Sequence, residues 1–251
     1  SVYISTGDTG AGSWLHAPTK DVTPLSNDHF AIATKLRLNK TQMRLDTHPC
    51  QRCTDTRSCD APVTPQMPLL HLAAMIPIKQ KPTILVTNDD GITSPGIRLL
   101  AEAMHEIGDV FVVAPDSPQS GMGHAITLDE PLRVEHVDIF KHIKAWQCTG
   151  TPVDCVKIAV DKIIKGKPDL CVSGVNHGSN SSINVIYSGT MSAAMEASIE
   201  GIPAIGFSFL NYSYDADLSV CKKVVKQVTH QVMKHGLPQN VLLNVNVPNV
   251  D

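Results

Sequence analysis

From Thr83 onward, apolar residues come in a repeating order: a short run rich in branched side chains stops on polar residues, and a stretch with apolar positions three and four apart follows. Residues 84–86 (Ile-Leu-Val), bounded by Pro82 and Gly91, read as a strand buried on both faces. Ser94 then offers an N-cap and Pro95 a first helical position, and Leu99, Leu100, Ala103 and Ile107 carry helical spacing over 94–107. Residues 110–114 form a second buried run that ends at Pro115. Strand, helix and strand joined by short connections predict a parallel pair with a right-handed crossover.

The same alternation continues. Residues 132–137 and 145–148 predict further strands that form a side hairpin. Thr151 and Pro152 open a helix carried by Val153, Val156, Ile158 and Val160, and Asp154 in its first turn complements the helix dipole. Residues 169–173 predict a central strand ending in a loop of small polar residues over 174–180. Ser188-Gly189-Thr190 leads into a helix over 191–197, residues 202–208 predict a strand, 215–234 a helix, and 241–245 a last strand. The expected fold is α/β: a doubly wound, mostly parallel, Rossmann-like sheet over residues 75–251.

Residues 1–74 read differently and are taken as an N-terminal extension of unassigned fold, with Met75 as the natural start of the following domain. Within the extension, Phe30, Ile32, Leu36 and Leu38 alternate as a strand would. His48, Cys50, Cys53 and Cys59 contain one pair at zinc-knuckle spacing but no second close pair, so unpaired thiols are the better reading.

Composition narrows the function classes. Apolar residues at 42% and charged residues at 18% describe a chain that can build a core. A net charge of -3 without a long basic run gives no reason to expect nucleic acid or an anionic membrane surface as partner. The longest apolar segment, 67–78, is too short to span a bilayer and holds His71 and two prolines. Of seven cysteines, Cys148, Cys155, Cys171 and Cys221 lie in or beside apolar segments as small hydrophobes, which points to the cytoplasm.

Candidate chemistry begins where the first strand ends. Asp89 and Asp90 are adjacent in the turn before a helix, at the sheet edge where open α/β folds bind ligands. Two neighbouring carboxylates repel, and a hard divalent cation relieves that repulsion, whereas an isolated Asp-Asp-Gly is usually a solvated turn. The loop over 116–124 leaves the same edge and brings the Ser120 hydroxyl, a suitable oxygen for such a cation. Ser188, Gly189 and Thr190 offer hydroxyls and unpaired N–H groups at a positive helix end, which is either an anion site or an ordinary cap.

Four segments together carry a resemblance: Asn88-Asp89-Asp90-Gly91; Ala114-Pro115 with Gln119-Ser120-Gly121; Ser173-Gly174-Val175-Asn176-His177-Gly178 with Asn180; and Tyr187-Ser188-Gly189-Thr190 with Ala193-Ala194 and Glu196. In order and spacing they are similar to the SurE family of metal-dependent 5'-nucleotidases, over about residues 76–250. The resemblance implies one divalent cation per subunit, Mg²⁺ or Mn²⁺, on Asp89, Asp90, Ser120 and Asn176. It also implies hydrolysis of nucleoside monophosphates in the cytoplasm by a homodimer or homotetramer. The family continues past the strand at Val241, so the chain reads as truncated at its C-terminus, and its first 74 residues have no counterpart. Asn88, Asn180, Ser188, Gly189 and Thr190 are the expected phosphate donors, Asp89 or Asp90 orients the water, and His124 or His177 is available to protonate the leaving alcohol. Two other classes compete, a Mg²⁺-dependent phospho-receiver and a nucleotide-binding module without catalysis. The first needs a third Asp at a strand end, where this chain has Ala114 and Ser173.

Overall fold

A computed structural model describes residues 3–6, 32–37, 81–213 and 215–249, all within one compact unit. The zinc-spaced His48, Cys50, Cys53 and Cys59 lie outside the described residues. Among the described residues, nine strands form one sheet: β1 (Tyr3–Thr6), β2 (Ile32–Arg37), β3 (Thr83–Thr87), β4 (Asp109–Pro115), β5 (Val134–Val137), β6 (Lys144–Cys148), β7 (Leu170–His177), β8 (Ala204–Phe209) and β9 (Val241–Val247). Their order across the sheet is β1-β2-β9-β8-β7-β3-β4-β6-β5. All neighbouring pairs from β9 to β6 are parallel, β5 is antiparallel to β6, and β2 is antiparallel to β9.

Helices α1 (Pro95–His105), α2 (Pro152–Ile158), α3 (Asn184–Tyr187), α4 (Gly189–Ile199) and α5 (Ser219–His235) complete the fold, and α2 runs on as a wide π turn over Ala159–Ile163. Period-two alternation in the strands sorts the core into two layers. Ile84 and Val86 of β3, Val112 of β4 and Val172 of β7 pack with Ile97, Leu100, Val224 and Val225 of α1 and α5. Leu85, Val113 and Cys171 point the other way, onto Cys155, Val156, Met191 and Ala194 of α2 and α4. The sheet is therefore doubly wound, as its strand pattern predicts. The chain winds outward from β3 through β4 to β6, then crosses back to β7 on the other side of β3. That reversal makes the crevice beyond β3 and β7 the expected ligand site. Among the described residues, no helix is long and apolar enough to cross a membrane.

Several elements differ from their sequence expectation. Residues 134–137 and 144–148 do pair as the expected antiparallel hairpin, but it is not a side feature: β6 also joins the main sheet beside β4, with Ala145 and Cys148 buried on its two faces. β7 continues to His177 through an irregular register between Ser173 and Asn176, where small polar residues had the look of a loop. The alternating residues near Ile32 do form a strand, and β2 with β1 extends the sheet past β9. The sheet thus reaches across the division at residue 74.

Gly96 sets the distance between α1 and β7. A Cβ there would lie 2.1 Å from the Val175 carbonyl oxygen, so only glycine lets the first turn of α1 sit against the end of β7. Overpacking of this kind typically costs about 1–3 kcal/mol. Gly96→Ala is expected to lower the unfolding free energy by about 2 kcal/mol in urea titration; a variant as stable as the parent would show that the helix can retreat freely.

Candidate active site

β3 delivers the acid pair to the crevice, and each neighbouring loop is bonded to it. The Asn88 amide donates to the Gly91 carbonyl and to Ser94 Oγ, both at 2.9 Å, and the residue is buried. Asn88 therefore braces the turn, with its amide engaged within the chain. Ser94 correspondingly caps α1 by position without a side-chain cap bond. The Gln119 N–H donates to the Asp89 carbonyl at 2.7 Å and Ile92 N–H to the Pro115 carbonyl at 2.9 Å. These bonds hold the loop that carries Ser120 against the acid turn.

Asp89 is 4% exposed. Its carboxylate accepts the Thr190 hydroxyl at 2.5 Å and the backbone N–H groups of Gly189 and Thr190 at the start of α4. Ser188 caps that helix by accepting from Met191 N–H at 3.0 Å. The positive end of α4 is thus engaged by a carboxylate of the chain itself. The Thr190 hydroxyl and the α4 N–H groups, expected as phosphate donors, engage Asp89. Gly189 permits this approach, since a Cβ there would meet Asp89 Cβ at 2.6 Å.

Asp90 is half-buried; it accepts the His177 backbone N–H, and its Oδ2 is buried without a hydrogen-bond partner. The Asn176 amide donates to the carbonyls of His177 and Gly178, at 3.2 and 3.0 Å, which leaves its oxygen as the free end. Asp89, Asp90, Ser120 and Asn176 all line one open cleft of about 340 Å³, together with Asn180 and Ser188. Among the described residues, no cluster of three or more His, Cys, Asp or Glu could hold an ion. The cleft instead gathers two carboxylates with a hydroxyl and an amide oxygen, a donor set for a hard cation.

Electrostatics point the same way. Burial raises the Asp89 pKa, with the Thr190 hydroxyl and the helix N–H groups opposing. Burial, then the charge of Asp89, pushes Asp90 up to about 7. A divalent cation would relieve two adjacent acids with an oxygen unsatisfied, so the residues present fit one.

Asn180 is held by its surroundings: its N–H donates to Asn246 Oδ1 and its side-chain amide to Ser208 Oγ, each at 2.9 Å, while its carbonyl accepts from Asn244. Of the two candidate histidines, His177 lines the cleft and His124 does not. His124 Nε2 is 2.8 Å from Glu196 Oε2, and Lys157 Nζ is 2.8 Å from the other oxygen of that carboxylate. That contact ties the Ser120 loop to α4, so His124 is a brace. Burial lowers the His177 pKa, so the ring is neutral at pH 7. Ser179, Asn184 and Tyr212 also line the cleft. Sequence reasoning passed over them because Ser179 and Tyr212 sit in irregular segments after β7 and β8 and Asn184 opens the one-turn helix α3, where no periodicity marks a site.

Comparison with known proteins gives the lineage. The family described as survival protein SurE matches residues 84–251. This chain belongs to the SurE family. It is 67% identical to the 5'-nucleotidase SurE of Christiangramia forsetii over 173 residues, covering 68% of this chain and 66% of that protein. It is 63% identical to the 5'-nucleotidase SurE of Flavobacterium psychrophilum, covering 67% and 66%. Among solved structures, the SurE protein of Aquifex aeolicus superposes with a TM-score of 0.62 at 42% identity, covering 67% of each chain. The chain thus spans about two thirds of the length of the SurE relatives it matches.

A raised Asp90 pKa has a defined sign. The folded state holds this proton more tightly than the unfolded state, whose carboxyl titrates near 3.8, so the stability it confers is complete below that value and lost as pH rises through about 7. Thermal melts of chelator-treated protein should therefore fall between pH 5 and pH 8, and Mn²⁺ or Mg²⁺ at pH 8 should restore the loss. Asp90→Asn should flatten the fall and weaken the response to cation. Melts at pH 8 that ignore both cations would count against an ion at this cleft.

Proposed function

We propose that the chain hydrolyses nucleoside 5'-monophosphates to nucleoside and phosphate, with one divalent cation, Mg²⁺ or Mn²⁺, held by Asp89, Asp90, Ser120 and Asn176. The observation that carries this reading is the convergence of four oxygen-bearing side chains, from the ends of β3, β4 and β7, on one cleft with a strained acid pair. The relatives' shared name, 5'-nucleotidase SurE, supports the substrate class. When bound, the cation would supply positive charge to the phosphoryl oxygens and lower the pKa of water. No Lys or Arg lines the cleft among the described residues, which makes that charge the more necessary.

The chain's own residues do the rest. Asp89 is immobilised by Thr190 and the α4 N–H groups, so it presents its oxygens without reorganising. Asp90 retains an oxygen that no protein group uses, and it is the acceptor best suited to orient the attacking water. The Ser188 hydroxyl receives Met191 N–H and keeps its own proton to donate to phosphate. His177 lines the cleft and would protonate the leaving oxygen from its cationic form, a minority at pH 7 because burial lowers its pKa. Location in the cytoplasm is supported by four buried free cysteines. Assembly as a homodimer or homotetramer is supported by exposed apolar side chains such as Ile126, Leu128, Ile183 and Ile186.

Phosphate release from AMP or GMP with added Mn²⁺ or Mg²⁺ tests the reading. Asp89→Asn should reduce kcat by about a hundredfold or more, the scale of losing one preorganised electrostatic group. Nucleotide binding without phosphate release under either cation would leave a binding module and end the hydrolase reading.

A further inference from the structure

Beyond the acid pair, the cleft is lined by two tyrosines that the chemistry above does not use. Tyr187 immediately precedes Ser188, the cap of α4, and Tyr212 lies in the loop after β8. Both line the cleft, and they are 59% and 73% exposed. Among the described residues neither ring stacks on another aromatic ring. Two exposed rings on one polar cleft offer flat apolar faces, each with a polar hydroxyl, to a ligand that binds there.

Tyr212 is also backed from behind. A Cβ on Gly178 would fall 2.3 Å from its Cε1 and 2.6 Å from its Cδ1, so the ring lies directly on the main chain there. The Gly178 N–H donates to the Phe209 carbonyl at 2.8 Å, and its carbonyl accepts the Asn176 amide at 3.0 Å. The ring therefore stands on the same stretch of backbone that orients Asn176. Tyr187 is anchored by its carbonyl, which accepts Gly123 N–H at 3.2 Å from the loop that carries Ser120. Each tyrosine is tied to a cation-binding segment, which fixes the aromatic end of the cleft relative to its acidic end.

We infer that Tyr212 and Tyr187 form the subsite for the nucleobase of the substrate, with Tyr212 as the stacking platform. This deepens the hydrolase reading and rests on it. Stacking tolerates any base because every base has a π-face. The subsite accordingly accepts purine and pyrimidine mononucleotides alike and favours both over phosphate esters that lack an aromatic group.

Product nucleosides test the subsite independently of turnover. Ligand-observed NMR on the full chain should show adenosine and uridine binding where ribose does not. Tyr212→Ala should weaken both nucleosides about tenfold, within the range measured for loss of a stacking partner, and Tyr212→Trp should keep them. In parallel, the ratio of kcat/KM for AMP to that for ribose 5-phosphate should drop about tenfold in Tyr212→Ala. Equal responses from adenosine and ribose, or adenosine affinity within twofold of wild type in both Tyr212→Ala and Tyr187→Ala, would overturn the inference. The two readings fail separately. Turnover of AMP and ribose 5-phosphate at equal kcat/KM removes the base subsite and keeps the hydrolase, whereas nucleoside binding that depends on Tyr212 without any phosphate release does the reverse.

Discussion

Repulsion between the Asp89 and Asp90 carboxylates governs how this molecule is built. Side by side at the end of the central strand, both are raised in pKa by burial, and the charge of Asp89 raises Asp90 further. The fold answers part of this with α4, whose first N–H groups and Thr190 hydroxyl are spent on Asp89. It leaves the other part open, since Asp90 Oδ2 finds no protein donor. That asymmetry separates a structural carboxylate pair from one reserved for a ligand. A purely structural pair would be closed by lysine or arginine, and neither lines this cleft among the described residues.

The surrounding architecture follows from keeping that arrangement rigid. Asn88 closes the turn from within, Gln119 and Ile92 tie it to the loop after β4, and the His177 N–H ties it to β7. Glu196, two turns into α4, receives both His124 and Lys157, and both contacts hold its pKa below the usual carboxylate range. One helix thus meets Asp89 with its N-terminus and steadies the Ser120 loop with a side chain further along. Small residues, Ala193, Ala194 and Ala197, let it sit buried close to the sheet while doing both.

Much of this was legible in the chain. Runs such as Ile84–Leu85–Val86 announce strands buried on both faces, and the Thr151–Asp154 cap is visible in four letters and forms as a full capping box. The candidate cation ligands were legible because side chains at strand ends must project into the crevice. What could not be read was the fate of each hydrogen bond. Asn88 and Thr190 look like phosphate donors in a motif, yet their hydrogens are committed to Gly91, Ser94 and Asp89, partners revealed only by tertiary packing. His124 and His177 are equivalent as letters. A glutamate 72 residues away engages only the first one. Tyr212 escaped notice because its position depends on a bare glycine backbone beneath its ring, a contact without periodicity.

The bond from Thr190 to Asp89 joins residues 101 positions apart. During synthesis, at about 5–20 residues per second, the acidic turn therefore waits on the order of five to twenty seconds before its compensating helix has been made. For most of that interval β3 also lacks β7 beside it, and throughout it lacks the α4 donors for its terminal carboxylate. The crevice is therefore a late product of biogenesis, formed only when the chain returns across its own first strand, and a nascent chain that stops short of α4 has the acids without the means to hold them.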